Sequence, residues 1–192
     1  EFSDYEELEY SAARVAELLA GGKILAICRG QSEFGMRALG NRSIIADPRT
    51  FSTINNINHK VKVRDFWMPF TPSMLWEERS TLLEANACEF SPFMTMAYET
   101  KADQRRNLEA VVHPMDKTAR PQMVTKEANE LYHREIQEFF KITGVPCILN
   151  TSLNLHGEPI VETLSDALST FRRSGIEGLI LKDRILLKPE SN

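Results

Sequence analysis

Glu33-Phe34-Gly35-Met36-Arg37-Ala38-Leu39-Gly40-Asn41-Arg42-Ser43 sets two arginines five apart among glycines, after an apolar run at residues 23–28. Glycine lets a backbone approach a ligand and take up positive φ, and the planar arginine fork matches phosphate or carboxylate oxygens two at a time. The stretch therefore reads as an anion-binding loop. The alternative, a pair of surface or salt-bridged arginines, fits the surrounding glycines and polar residues less well. The apolar run reads as a buried strand, and Ser43-Ile44-Ile45-Ala46 as a second strand closed by Asp47-Pro48, so the loop sits between strands.

Upstream, Ser3 followed by Glu6 makes a capping box, and Leu8, Ala12, Val15, Leu18 and Leu19 recur at helical spacing, predicting an opening helix that stops at Gly21-Gly22. Downstream, Phe51, Ile54 and Ile57 predict a helix over 51–59. Lys62-Val63-Arg64 reads as extended, which sets its two cations on one face, and it leads into Phe66-Trp67-Met68-Pro69-Phe70. Strands are expected at 73–76, 94–98 and 110–113, with connections over 88–92 and 100–107. Ala128, Leu131, Ile136, Phe139 and Phe140 place a helix over 126–143, stopped by Gly144. A strand over 145–149, a polar loop over 150–158, a helix over 165–173 and a hairpin about Asp183-Arg184 complete the reading. With no internal repeat or low-complexity linker, residues 1–192 are expected to form one mixed α/β domain.

Asn150-Thr151-Ser152-Leu153-Asn154 gathers amides and hydroxyls at the carboxyl end of a strand, where open α/β sheets place ligands, although an ordinary turn uses the same residues. A further cationic loop runs from His113 through Asp116 and Thr118 to Arg120. Together the loops point to chemistry on a phosphorylated compound. Between Arg29 and Arg64 seven basic residues stand against Glu33 and Asp47, while the whole chain carries a net charge of -4. A focused basic patch on an acidic chain suits a small anion better than a nucleic acid.

The apolar runs are too short to span a bilayer, and Cys28, Cys88 and Cys147, odd in number and widely spaced, read as free thiols of a reducing cytoplasm. His59, His113, His133 and His156 lack the spacings of a zinc site, no Walker loop or nucleophile elbow is present, and Ser152 has no base beside it. No metal ligands are assigned. The chemistry expected is positioning and charge neutralisation.

Taken with Ala46-Asp47-Pro48-Arg49, Lys62-Val63-Arg64-Asp65, Thr118-Ala119-Arg120, Asn150-Thr151-Ser152-Leu153-Asn154 and Gly157-Glu158-Pro159-Ile160-Val161, the opening stretch resembles the carboxy-terminal domain of the NodU/CmcH-type O-carbamoyltransferases, over residues 22–181. The resemblance implies a YrdC-like α/β fold, with a twisted sheet and flanking helices, that uses ATP and magnesium to turn carbamoyl phosphate into carbamoyl adenylate. It also implies a Kae1-like amino-terminal domain that moves the carbamoyl group to a hydroxyl-bearing acceptor. The first residue is not Met, and the chain is expected to be the carboxy-terminal part of such an enzyme.

On this resemblance Lys62, Arg64 and Arg120 are the catalytic candidates, holding phosphate or carbamoyl oxygens. Arg37 and Arg42 line the same pocket, Ser152 and Asn154 bind phosphate or magnesium-linked oxygens, and Thr118 and Asn150 join them as nucleotide-binding residues. Met36 stands where the family commonly has Pro, Leu153 where it commonly has Phe, and Met115-Asp116-Lys117 is a variant lead-in. Two other readings stand beside it: a nucleotide-binding module inactive without its partner domain, and a nucleic-acid or tRNA-modification role, which the wider YrdC-like fold suggests and the acidic balance disfavours. No nucleic-acid or membrane partner is expected.

Overall fold

The computed structural model describes residues 2–62, 68–84 and 89–189. Its frame is an eight-stranded mixed sheet. In chain order the strands are β1 (Glu6–Glu9), β2 (Leu25–Cys28), β3 (Arg42–Ala46), β4 (Thr71–Leu75), β7 (Gln122–Val124), β8 (Cys147–Ser152), β9 (Gly178–Ile180) and β10 (Arg184–Leu187), with β5 (Tyr98–Glu99) and β6 (Thr118–Ala119) forming a separate antiparallel pair. Across the large sheet the order is β1-β10-β9-β2-β3-β8-β4-β7, with β2–β9 and β4–β7 parallel and the other neighbours antiparallel. Strands β2, β3 and β4 are buried along their whole length; β2 reads accordingly as a continuous apolar run, whereas β3 and β4 also bury Arg42, Ser43, Thr71 and Ser73.

Among the described residues five α-helices accompany the sheet: α1 (Ala12–Ala20), α2 (Phe51–Ile57), α3 (Arg79–Leu82), α4 (Glu130–Thr143) and α5 (Leu164–Arg173). Each long one shows its start and stop in local chemistry. Ser11 caps α1 by accepting from Arg14 N–H, and Asn129 caps α4 by accepting from Tyr132 N–H. Gly144 ends α4 in the left-handed region at φ 73°, and Thr163 with Asp166 forms a full capping box on α5. Val15, Ala16 and Leu19 of α1 pack with Tyr132, Ile136 and Phe139 of α4, and Phe171 of α5 joins the same core as Leu25 and Ile27.

Several expectations are corrected. The opening segment is not one helix: residues 6–9 pair with β10, Glu6 opposite Leu187, and the helix starts only at Ser11. Lys62 is not on an extended segment but closes a π-helical turn, Asn58–Lys62, after α2. Residues 110–113 form turns rather than a strand, and 94–98 contribute only Tyr98 to one. Asn150, Thr151 and Ser152 belong to β8 and not to the loop after it. Residues 105–108 make a 3₁₀ helix inside an expected connection. The segment 63–67, with Arg64, Phe66 and Trp67, and Cys88 lie outside the described residues.

Gly40 fixes where the arginine loop lies on this frame. Its φ is +107°, and a Cβ built there would stand 2.4 Å from Cδ1 of the buried Tyr132. Gly40→Ala would impose both backbone strain and overpacking, so denaturant unfolding is expected to show a loss of about 3 kcal/mol. An unchanged midpoint would mean that the loop does not rest on the Tyr132 ring.

Candidate functional site

The loop between β2 and β3, the turn after β6 and the end of β8 converge on one cavity of about 1060 Å³. Arg37, Lys62, Thr118, Arg120 and Asn154 line it. A smaller recess of about 60 Å³ opens beside it, where Arg37 and Arg120 meet Asn150 and Ser152. Eight of the nine residues named from sequence are described; seven of these line the cavity or its recess, and the eighth, Arg42, lines neither. Arg64 lies outside the described residues.

Arg37 and Arg120 carry the electrostatics. Among the described residues no side chain pairs with either guanidinium, and the two face the same space. Partial burial, and after it the like charge of Arg37, hold Arg120 below the ordinary arginine range. Two repelling cations without a counter-ion leave a site whose complement is an anion.

Lys62 is buried, at 2% exposure, and its ammonium stands in a cage of oxygens: Ser152 O at 2.7 Å, Ser152 Oγ at 3.1 Å, Asn154 O at 3.0 Å and Asn154 Oδ1 at 2.6 Å. The π-helical turn brings it there. Asn154 is also committed to shape: its Oδ1 accepts from Ser152 Oγ at 2.6 Å, while its Nδ2 donates to Leu155 O and Glu158 O. Glu158 in turn is clamped by Arg173 of α5 through two hydrogen bonds. Lys62 thus folds the segment 152–158 around a buried positive charge at the cavity wall.

Arg42 corrects the expectation that both loop arginines line the pocket. Its Nε and both terminal nitrogens make five hydrogen bonds, to the carbonyls of Arg29, Gly30, Asn41 and Glu162. A guanidinium has five N–H groups, so none is left for a ligand. Arg42 staples the two ends of the loop together instead.

Thr118 donates its hydroxyl to Asp116 Oδ1 at 2.8 Å, and its backbone N–H donates to the same oxygen at 2.9 Å. These bonds, the backbone one first, hold the Asp116 carboxyl below its usual range. His113 Nδ1 lies 3.1 Å from Asp116 Oδ1, and both side chains line the cavity. Neither was singled out from sequence, although both lie in the quoted loop that ends at Arg120. Phe70 and Thr71, which also line the cavity, gave no sequence signal beyond a proline-bearing apolar run.

Asn150, fully buried, donates through Nδ2 to Ala38 O at 3.0 Å, Ser73 Oγ at 2.9 Å and Gln122 Oε1 at 3.1 Å. It is the floor beneath the arginine loop. Among the described residues no three His, Cys, Asp or Glu side chains converge as a metal site, and no helix is long and apolar enough to cross a membrane.

Comparison with known proteins adds a family to this geometry. The family model described as Carbamoyltransferase C-terminus matches residues 16–188. Nodulation protein NolNO of Sinorhizobium fredii is 40% identical over 186 residues, 96% of this chain and 27% of that protein. The 3'-hydroxymethylcephem-O-carbamoyltransferase of Amycolatopsis lactamdurans is 32% identical over 165 residues, 86% of this chain and 31% of that protein. The chain thus spans about a third or less of these relatives' length. Among solved structures, full-length HypF in its phosphate- and nucleotide-bound form superposes with a TM-score of 0.65 at 16% identity, over 94% of this chain and 26% of HypF. E. coli YciO superposes with a TM-score of 0.58 at 16% identity, over 88% of this chain and 76% of YciO. The expected YrdC-like mixed α/β fold is the fold observed.

Proposed function

We propose, from the premise that this chain belongs to the carbamoyltransferase C-terminus family, that its cavity binds ATP and carbamoyl phosphate and forms carbamoyl adenylate. The observation that carries the reading is the couple Arg37 and Arg120, unpaired among the described residues and facing one cavity beside the buried ammonium of Lys62. In the reaction water releases carbamate and phosphate from carbamoyl phosphate. A carbamate oxygen then bonds to the α-phosphorus of ATP as the bond to the β-phosphate bridging oxygen breaks, and pyrophosphate leaves with that electron pair. Negative charge gathers on the leaving oxygens, so the residues' work is to hold groups in line and to meet that charge with fixed cations.

Arg37 and Arg120 would hold phosphate oxygens, and Arg64 is proposed for the same task. Lys62 would act as a point charge through the wall it organises, with Ser152, Asn154, Thr118 and Asn150 shaping the phosphate-facing surface. Magnesium fits this cavity as part of the nucleotide complex. Among the described residues the one acid in the lining is Asp116, so phosphate oxygens and water would supply most of the ion's ligands.

Transfer of the carbamoyl group to a hydroxyl-bearing acceptor is assigned to a Kae1-like amino-terminal domain, in keeping with relatives about three times as long or more. A cytoplasmic setting suits the ATP requirement and the free, buried Cys28 and Cys147, whose thiols burial pushes upward. The same length difference favours a second reading, in which this chain binds nucleotide but turns over only with the rest of the protein. Pyrophosphate release with ATP, magnesium and carbamoyl phosphate separates the two. Release that depends on carbamoyl phosphate supports adenylation by this chain alone; ATP binding without release supports the second reading, and neither binding nor release rejects both.

A further inference from the structure

We propose that Glu33 is a positioning residue for Arg37: its carboxylate sets the shape of the loop that presents this guanidinium to the anion cavity. The inference rests on reading Arg37 as an anion ligand, and it accounts for an acid in a basic loop. One oxygen, Oε1 of Glu33, accepts from the backbone N–H of Leu39 at 2.7 Å, Asn41 at 2.8 Å and Arg42 at 3.2 Å. An irregular segment leaves such amides without partners, and here one carboxylate gathers three of them. The chain closes on itself with Arg37 between the carboxylate and the amides it collects.

The opposite side of the loop is fastened as well. Asn150 donates to Ala38 O at 3.0 Å, Gln122 Nε2 donates to Leu39 O at 2.9 Å, and Gly40 N–H donates to Ser43 Oγ at 2.9 Å. Every residue from Ala38 to Arg42 therefore has a main-chain anchor, whereas Phe34, Gly35 and Met36 are exposed. Glu33 itself lines neither the cavity nor the recess. Its charge is directed at amide hydrogens, which limits its repulsion of a bound anion. A loop fixed before the ligand arrives avoids the ordering cost of binding, which is what such a clamp contributes.

Glu33→Gln keeps an acceptor oxygen of the same reach and removes the charge; Glu33→Ala removes both. Affinity for inorganic pyrophosphate, measured by calorimetry, is expected to fall about tenfold or more in Glu33→Ala and to stay within about threefold of the original in Glu33→Gln. Amide exchange at Leu39 and Asn41 should quicken in the alanine variant alone, a local readout that does not require ligand. Equal loss in both variants would mean that the charge acts directly, as a base or metal ligand, and would overturn the positioning role. So would an alanine variant that binds normally, or unchanged exchange. Failure of the unsubstituted chain to bind pyrophosphate would instead reject the anion-site reading, and this inference with it.

Discussion

Arg120→Ala is expected to reduce carbamoyl-phosphate-dependent pyrophosphate release about a hundredfold or more, since a fixed cation meeting charge that develops in the transition state contributes at least that much. Stability should move the other way or not at all. Among the described residues Arg120 faces Arg37 with no acid to pair it, so its removal relieves a repulsion and breaks no hydrogen bond there. Arg37→Ala should behave alike, and the double variant should lose little more than either single one if both hold the same phosphate group. Thermal melting measured beside activity separates this from a folding defect. A variant that melts early and loses activity in proportion would place Arg120 in the frame rather than at the ligand.

Glu135→Ala carries the largest expected loss of stability. Arg29 and Glu135 form a two-bonded ion pair at 2.6 and 2.8 Å, their side chains 4% and 0% exposed, and the Tyr10 hydroxyl donates to the same carboxylate at 2.9 Å. Burial works against the Arg29 charge, and the Glu135 carboxylate outweighs it, leaving arginine more firmly protonated than usual. Removing the acid strands a buried cation, so denaturant unfolding should lose about 3–5 kcal/mol. Replacing both partners with apolar residues of similar volume should recover most of it, because the pair's desolvation cost disappears with the pair. The Arg29 carbonyl also accepts from Arg42, so the damage is expected to reach the base of the arginine loop.

The parts of the fold that sequence made legible are those with local causes. Gly144 ends α4 through its own φ, and the β9–β10 hairpin needs only a local turn, which falls at Lys182-Asp183, one residue earlier than expected, with Arg184 already in β10. What it concealed depends on distant partners. Glu6–Glu9 becomes a strand because β10 lies beside it, nearly the whole chain away in sequence, and nothing in Glu-Glu-Leu-Glu announces that pairing. The Ser3 and Glu6 spacing matches a capping box, yet Ser3 Oγ donates to Asp4 Oδ1, Glu6 enters the strand and Ser11 caps the helix. In the site, composition drew attention to the arginine loop but could not divide its two arginines. Arg37 is left facing a cavity, while Arg42 turns inward to four carbonyls, and both sit in the same glycine-rich spacing. Lys62 reached the site through a π-helical turn rather than by strand alternation, so the residue was legible and its route was not.

Adenylation by this chain is tested most directly by the mass of the nucleotide formed when it is incubated with ATP, magnesium and carbamoyl phosphate. The expected product is heavier than AMP by one carbamoyl group, formed together with pyrophosphate and absent when carbamoyl phosphate is omitted. ATP bound and returned intact would remove adenylation from this chain, and ADP or AMP formed equally well without carbamoyl phosphate would contradict the assignment of the cavity.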